Sequence, residues 1–197
     1  MKIFIKYMVS LRCKLLVDSA LNKIGIQHIA MDQGLIEIPN PLDEEQRYEL
    51  KTMLRKKGME LLDEKLSNLI ENTTDVVMNL VRHFDELKKM EIEEYVGKKI
   101  GWDPANLATV FAEVKGISLS QFVVYHKIEL IKELLLYDKL NLKEIATKLG
   151  YDSVAQLTYQ FNKLTGLSPS YFKQVKQIRM LASRGQPTDH IPKNIHH

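Results

Sequence analysis

The stretch that decides the fold is LNLKEIATKLGYDSVAQLTYQFNKLTGLSPSYFKQ, residues 140–174. Its apolar residues recur at the three- and four-residue spacing of helices, and Gly150 and Gly166 fall where such helices end. We expect Asp152 or Ser153 to cap the second helix, because either side chain can accept a hydrogen bond from its first turn. A short helix, a tight turn and a second helix constitute a helix-turn-helix.

An earlier copy of the same pattern makes this an internal repeat. Gly101-Trp102-Asp103 matches Gly150-Tyr151-Asp152. The further matching positions, in order, are Leu107, Phe111, Gly116, Ile117, Ser118 and Phe122 in the first copy, and Leu157, Phe161, Gly166, Leu167, Ser168 and Phe172 in the second. Each copy also carries a small residue, Gly97 or Ala146, where a second helix has to cross closely. Between the copies, SLSQFVVYHKIELIKELLLYDK has the length and periodicity of a connecting helix.

Two such units joined by one long helix, over residues 91–178, resemble the AraC/XylS-type DNA-binding domain. The resemblance implies that the second helix of each unit enters a major groove of double-stranded DNA, and that the chain regulates transcription. The candidate DNA contacts, all on exposed faces of these helices, are Asn106, Thr109, Ala155, Gln156, Tyr159, Gln160 and Lys163. Glutamine can pair with adenine and lysine with guanine. We therefore expect the second unit to make most base contacts and the first unit to contact the DNA backbone.

The first third of the chain predicts a β-α-β-β-α-β order. Alternating or β-rich segments indicate four strands, which are KIFIKYM, IQHIAM, LIEI and MELL. Helical spacing follows the first strand up to Gly25, and NPLDEEQRYELKTMLRKK is typical of a second helix capped by Asp43. Two units of this size form a ferredoxin-like sandwich.

The loop after the first strand reads MVSLRC, and the segment around it resembles the heavy-metal-associated domain. That family carries Met-x-Cys-x-x-Cys here, and two thiolates bind a soft metal ion. Met8 and Cys13 match the pattern, but Ser10 stands where the first cysteine belongs. Because a serine hydroxyl is a poor soft-metal ligand, we expect Cys13 to be a small buried residue at a helix start. A weakened metal site, and an organic ligand contacting Met8, Ser10, Arg12 and Cys13, remain alternatives.

A long helix is expected to connect the two parts. Apolar or nearly apolar residues follow one another at alternating steps of four and three, at Leu66, Ile70, Thr73, Val77, Leu80, Phe84 and Leu87. Such a seam indicates either a dimerising coiled coil over residues 66–87 or a helix packed against its own domains. The tail from residue 179 has no periodicity and contains glycine and two prolines, which predicts disorder.

Composition narrows the class of protein. A single cysteine excludes an intrachain disulfide, and no apolar run approaches the ~20 residues that cross a bilayer, so we expect a cytoplasmic protein without membrane contact. The sequence lacks a phosphate-binding glycine loop, a nucleophile motif and a metalloprotease histidine pair, so we expect neither an enzyme nor a cofactor. The net charge of the whole chain is only +3, and the balance of +1 over residues 91–178 predicts modest affinity of a single chain for DNA.

The sequence therefore predicts an α+β chain. An N-terminal ferredoxin-like βαββαβ sandwich (residues 1–63) precedes a connecting helix (64–90), an all-α double helix-turn-helix domain (91–178) and a disordered tail (179–197). We expect a one-component transcription regulator whose N-terminal domain senses a small metabolite or sugar rather than a metal. The alternatives are a domain that only dimerises and a degenerate soft-metal sensor. A heavy-metal-associated-like domain before an AraC-type domain resembles regulators of the Bacteroidetes type.

Overall fold

The computed structural model describes residues 1–83, 91–137 and 140–183. The chain divides into two compact units: Met1–Asn79 with Lys89–Phe122, and Leu80–Lys88 with Val123–His197. This division differs from the predicted domain boundaries, because the N-terminal part of the chain and the first helix-turn-helix belong to one unit. The second helix-turn-helix lies in the other unit.

The first six elements follow the predicted order of strands and helices. They are β1 (Lys2–Lys6), α1 (Leu11–Lys23), β2 (Ala30–Asp32), β3 (Leu35–Glu37), α2 (Glu44–Arg55) and β4 (Glu60–Leu61). The strands form one sheet in the order β2-β3-β1-β4, and every neighbouring pair is antiparallel. All four strands are shorter than the sequence predicted. β2 begins only at Ala30, four residues after the start of IQHIAM.

One face of the sheet forms the core with α1 and α2. Ile3 and Ile5, two residues apart on β1, point to this face because strand side chains alternate. They join the buried side chains of the two helices, which include Val17, Leu21, Leu50 and Leu54. Asp43 caps α2 as predicted, accepting a hydrogen bond from the backbone N–H of Gln46 at 2.8 Å.

The long helix α3 (Glu64–Arg82) buries its predicted seam within the chain. Ile70, Thr73 and Val77 are fully buried and Leu80 is 3% exposed. The Thr73 hydroxyl donates to the carbonyl of Leu69 at 2.7 Å, so this polar residue is satisfied inside the core. The burial favours the alternative in which the helix packs against its own chain. Phe84 and Leu87 lie outside the described residues.

Six further helices form the second part of the described chain. They are α4 (Ile92–Ile100), α5 (Pro104–Lys115), α6 (Leu119–Tyr137), α7 (Leu142–Lys148), α8 (Val154–Thr165) and α9 (Pro169–Ser183). The pairs α4–α5 and α7–α8 are the two predicted helix-turn-helix units. α9 continues to Ser183, so the prediction that disorder starts at residue 179 was wrong by at least five residues. Residues 184–197 lie outside the description.

The two helix-turn-helix units share stabilising contacts as well as sequence. The turns contain Gly101 and Gly150 at φ of 72° and 66°, a left-handed conformation that favours glycine. An edge-to-face aromatic pair follows in each copy: Phe111 with Phe122 at 5.1 Å between ring centroids, and the equivalent phenylalanines at 5.6 Å. A Cβ on Gly97 would lie 2.8 Å from the carbonyl oxygen of the next turn, which explains the small residue.

Helix α5 also packs against the N-terminal sheet, within the same compact unit. The backbone N–H of Tyr7 donates to the carbonyl of Glu113 at 2.8 Å. On the β2–β3 turn, a Cβ added to Gly34 would lie 2.0 Å from the backbone oxygen of Val114. This separation leaves no room for any side chain, so the turn and the helix meet backbone to backbone.

Replacing Gly34 with alanine tests this close approach, and Gly25→Ala is a matched control. Both glycines have left-handed φ values, 66° and 70°, but a Cβ on Gly25 meets no described atom within 4 Å. We expect Gly25→Ala to lower the free energy of unfolding by about 1–2 kcal/mol. The clash should make the loss for Gly34→Ala about 1–3 kcal/mol larger. Equal losses in chemical denaturation would contradict the contact.

Candidate nucleic-acid interface

Helix α8 presents a polar face because its apolar side is fixed in the core. Leu157 and Phe161 are fully buried and four residues apart, which turns the opposite side of the helix outwards. Among the predicted DNA contacts, Ala155, Tyr159 and Lys163 lie on this exposed side. They are also spaced by four residues and therefore form one stripe along the helix.

Gln156 and Gln160 are less available than the sequence predicted. Gln156 is exposed, but its side-chain oxygen accepts a hydrogen bond from the backbone N–H of Asp152 at 2.8 Å. Its own N–H donates to the hydroxyl of Ser153 at 3.1 Å, so Gln156 takes part in capping the helix. Gln160 is half-buried, and its Oε1 is enclosed without a hydrogen-bond partner among the described residues. Tyr159 and Lys163 are therefore the most accessible long side chains of the predicted set.

Helix α5 presents a shorter polar face. Asn106 and Thr109, the equivalents of Gln156 and Tyr159, are both exposed. The Thr109 hydroxyl donates to the carbonyl of Ala105 at 2.9 Å, which directs its hydrogen back into the helix. This face can contact a phosphate through the Asn106 amide and the helix N-terminus more readily than it can read a base.

The two helix-turn-helix units differ in net charge. Residues 91–122, which include the first unit, contain three Lys and Arg against five Asp and Glu. Residues 140–183, which include the second, contain six against two. Since neutralised phosphates supply most of the sequence-independent affinity for DNA, the second unit is the better electrostatic match. The small net charge of the whole chain, +3, does not reveal this difference in charge between the two helix-turn-helix units.

The last turn of α5 carries Glu113 where α8 carries Lys163. Its carboxylate accepts a hydrogen bond from the Tyr7 hydroxyl at 2.9 Å and forms an ion pair with Lys6 at 2.9 Å. The hydrogen bond with Lys6 is the main reason that the pKa of Glu113 lies below its ordinary value, and the pKa of Lys6 is raised in turn. Both partners therefore keep their charges across the neutral range.

The loop MVSLRC forms a helix start. The Ser10 hydroxyl caps α1, accepting from the N–H of Cys13 at 3.3 Å, and it donates to the Cys13 sulfur at 3.2 Å. This second bond is the main cause that lowers the pKa of the thiol. Cys13 is half-buried, Ser10 and Arg12 are exposed, and Met8 is fully buried. The loop thus offers at most three of its four predicted ligand contacts.

The described residues contain no cluster of three or more His, Cys, Asp and Glu side chains able to hold a metal ion. The Nδ1 atom of His28 lies 3.4 Å from Oδ1 of Asp18. Single-helix membrane spans are likewise absent from this part of the chain, although α5 and α6, bent by 61°, together reach the necessary length and composition.

An open cavity of about 860 Å³, which no sequence feature indicated, is lined by the N-terminal sheet, α2 and the start of α3. Its charged lining side chains come from separate parts of the fold: Lys2 from β1, Glu37 from β3, Arg47 from α2, Asp63 from the loop before α3, and Glu64 and Glu71 from α3. Lys2 and Glu71 form an ion pair at 2.7 Å. No local motif links these residues, so only the fold brings them together.

The second part of the chain is similar to known helix-turn-helix proteins. Residues 96–174 match the family model described as "Helix-turn-helix domain". Two uncharacterised HTH-type transcriptional regulators of Bacillus subtilis (strain 168) are similar. YtdP is 26% identical over 107 residues, which are 54% of this chain and 14% of YtdP. YfiF is 38% identical over 78 residues, which are 39% of this chain and 24% of YfiF.

The chain therefore spans no more than a quarter of either relative. A solved structure with the same fold is the C-terminal domain of AraT, a response regulator from Geobacillus stearothermophilus. It superposes with a TM-score of 0.50 and 22% identity, covering 68% of this chain and 99% of that one. Residues 96–174 are thus a helix-turn-helix domain, as the repeat predicted.

The bond between Ser10 and Cys13 predicts how the thiol reacts. In Ser10→Ala the pKa of Cys13 should rise, because the hydroxyl that stabilises the thiolate is gone. The rate of reaction with iodoacetamide should then reach half of its maximum at a higher pH than in the unmodified chain. Ser10→Thr keeps a hydroxyl and is the control. Identical rate–pH profiles for the alanine variant and the unmodified chain would contradict the bond.

Proposed function

We propose that this chain is an AraC/XylS-type transcription regulator that binds double-stranded DNA through its two helix-turn-helix units, with the second unit as the main reader. The observation that carries the proposal is the exposed stripe of α8, with Tyr159 and Lys163, in the segment 140–183, which has more Lys and Arg than Asp and Glu. Lysine can donate to guanine and an exposed aromatic ring can contact a thymine methyl group. The helix-turn-helix match and the HTH-type regulators among its relatives support the proposal.

We infer that the first 63 residues form a ferredoxin-like domain of the heavy-metal-associated type. The β-α-β-β-α-β order and the antiparallel sheet order β2-β3-β1-β4 support this assignment. An organic effector suits the domain better than a soft metal, because Ser10 replaces a thiolate and Met8 is buried. The cavity with Lys2, Arg47 and several carboxylates is a more spacious place for a polar metabolite than the loop.

Pairing of two copies through residues 66–87 stays a prediction. Ile70, Thr73 and Val77 are already buried within one chain, so these residues would have to leave their contacts before they could face a partner helix. The burial supports a monomeric role for α3. A cytoplasmic location follows from the proposed function, since such a regulator meets its DNA there.

Selection of genomic DNA fragments by the full chain at low salt tests DNA reading. We expect a shared sequence motif. Lys163→Ala should weaken binding to that motif by about 1–3 kcal/mol, because it removes a base or phosphate contact. Lys23→Ala is the matched control, since Lys23 is an exposed lysine at the end of α1. Recovery of no motif, or equal weakening by both variants, would contradict the second unit as the main reader.

Ser10→Cys tests whether the loop has kept the geometry of a metal site. The Ser10 oxygen lies 3.2 Å from the Cys13 sulfur, so a second thiolate there could share one ion with Cys13. Under reducing conditions we expect no tight Cu(I) binding by the unmodified chain, and one ion bound by the variant in competition with a Cu(I) chelator. Adding Cys13→Ala should abolish binding again. Tight binding by the unmodified chain would establish the soft-metal alternative instead.

A further inference from the structure

We propose that Lys6 and Tyr7 are positioning residues for the first reading helix, and that the N-terminal domain stays docked on α5 when the chain binds DNA. This inference rests on the proposed function, and it assigns the N-terminal domain a part in DNA binding itself. It is carried by the contacts between the end of β1, the loop after it and the last turn of α5.

The backbone of Tyr7 satisfies the end of the helix. α5 ends at Lys115, so the carbonyl of Glu113 is one of the last four, which have no partner inside the helix. The N–H of Tyr7 supplies that partner at 2.8 Å, and the hydroxyl of the same tyrosine binds the Glu113 carboxylate. Tyr7 therefore holds Glu113 at two points.

Tyr7 adopts a conformation that needs such support. Its φ is 66°, and it is the only non-glycine residue with positive φ among the described residues. A tyrosine in the left-handed region is strained and persists only where its surroundings fix it. The two bonds to Glu113 are part of those surroundings, so the strained residue marks the place where sheet and helix are joined.

Lys6 neutralises the acidic residue on the reading helix. The side chains of Lys6 and Glu113 are 15% and 29% exposed, so water screens their ion pair only in part. Without Lys6, the carboxylate at the position equivalent to Lys163 would repel the phosphates of an approaching DNA. The docked domain thus removes an unfavourable charge from the face that meets DNA.

The second copy of the motif shows that this docking is not part of the helix-turn-helix itself. Val114 is fully buried, whereas its equivalent Leu164 is 52% exposed. A Cβ on Gly116 would lie 2.8 Å from Val9 on the β1–α1 loop, while one on Gly166 would meet no described atom within 4 Å. The first copy therefore has an extra covered surface, formed by the N-terminal domain.

The docked domain leaves the reading half of α5 open. Asn106 and Thr109 in the first two turns are exposed, whereas the hydrogen bonds and close approaches to β1 and its neighbouring loops involve Glu113, Val114 and Gly116 at the end of the helix. In helix-turn-helix proteins the N-terminal residues of the recognition helix meet the base edges. A helix held at its last turn and open at its first turns is arranged for binding rather than for inhibition.

A double-mutant cycle on the full chain tests the inference, using a DNA motif recovered by selection. Lys6→Met should weaken DNA binding by about threefold to tenfold, and the loss should nearly vanish when Glu113→Gln is also present. Lys23→Met is the matched control, because Lys23 is an exposed lysine of the same domain, at the end of α1, and its loss changes the net charge equally. Tyr7→Phe removes only the hydroxyl and should weaken binding in the same direction without changing the fold.

Three results would overturn the inference. Tighter DNA binding by Lys6→Met or Tyr7→Phe would mean that docking inhibits the reader. Unchanged affinity would mean that the Lys6–Glu113 pair takes no part in DNA binding. A loss matched by Lys23→Met and not suppressed by Glu113→Gln would mean that only net charge matters. In each case the unmodified chain still binds its motif and the proposed function stands. Failure of the unmodified chain to bind any DNA would reject the proposed function and the inference together.

Discussion

The hydrogen bond from the Tyr7 backbone to the Glu113 carbonyl is the constraint on which the first compact unit depends. It joins the first residue of the β1–α1 loop to the last turn of α5. Around it lie the ion pair of Lys6 and the backbone approach of Gly34 to Val114. These distances leave no room for a side chain at Gly34 on the β2–β3 turn, and they fix the end of α5 against the sheet. The N-terminal domain and the first helix-turn-helix are therefore one object physically, although they read as two in the sequence.

The two copies of the repeat share a framework and differ in charge and packing. Both keep the residues that build the motif: a left-handed glycine, a capping side chain and an edge-to-face phenylalanine pair. The segment that contains the second copy, residues 140–183, has a net positive charge, and its Lys163 is exposed. The first copy is acidic and uses its equivalent residue, Glu113, to hold the N-terminal domain. The first copy thus packs against the N-terminal domain through Glu113, whereas the equivalent Lys163 of the second copy is exposed.

Local features were predictable from the sequence because their causes act over a few residues. The caps by Asp43 and Asp103, and the left-handed turn at Gly101, follow from side chains and backbone groups within three positions. The repeat was predictable because the apolar spacing and the glycines recur together. The predicted strands were longer than the observed ones, because backbone pairing with a neighbouring strand stops before the alternation of apolar and polar residues stops.

Long-range contacts were not predictable in the same way. Tyr7 and Glu113 are 106 residues apart, and neither residue belongs to a motif that names the other. The charged residues of the cavity come from β1, β3, α2 and α3, and only the fold assembles them. The seam of α3 left two alternatives open, because an apolar stripe is the same whether a partner chain or the chain itself covers it. The buried side of Gln160 likewise depends on its neighbours and not on its position in α8.

The most direct test of this account is amide hydrogen exchange, followed by NMR in the free chain and in its complex with DNA. The amide of Tyr7 reports the bond to Glu113, and the amides in the first turns of α5 report contact with DNA. We expect the Tyr7 amide to stay protected, or to become more protected, when DNA protects the start of α5. Loss of protection at Tyr7 on DNA binding would show that the domain leaves the helix, which would contradict the central claim.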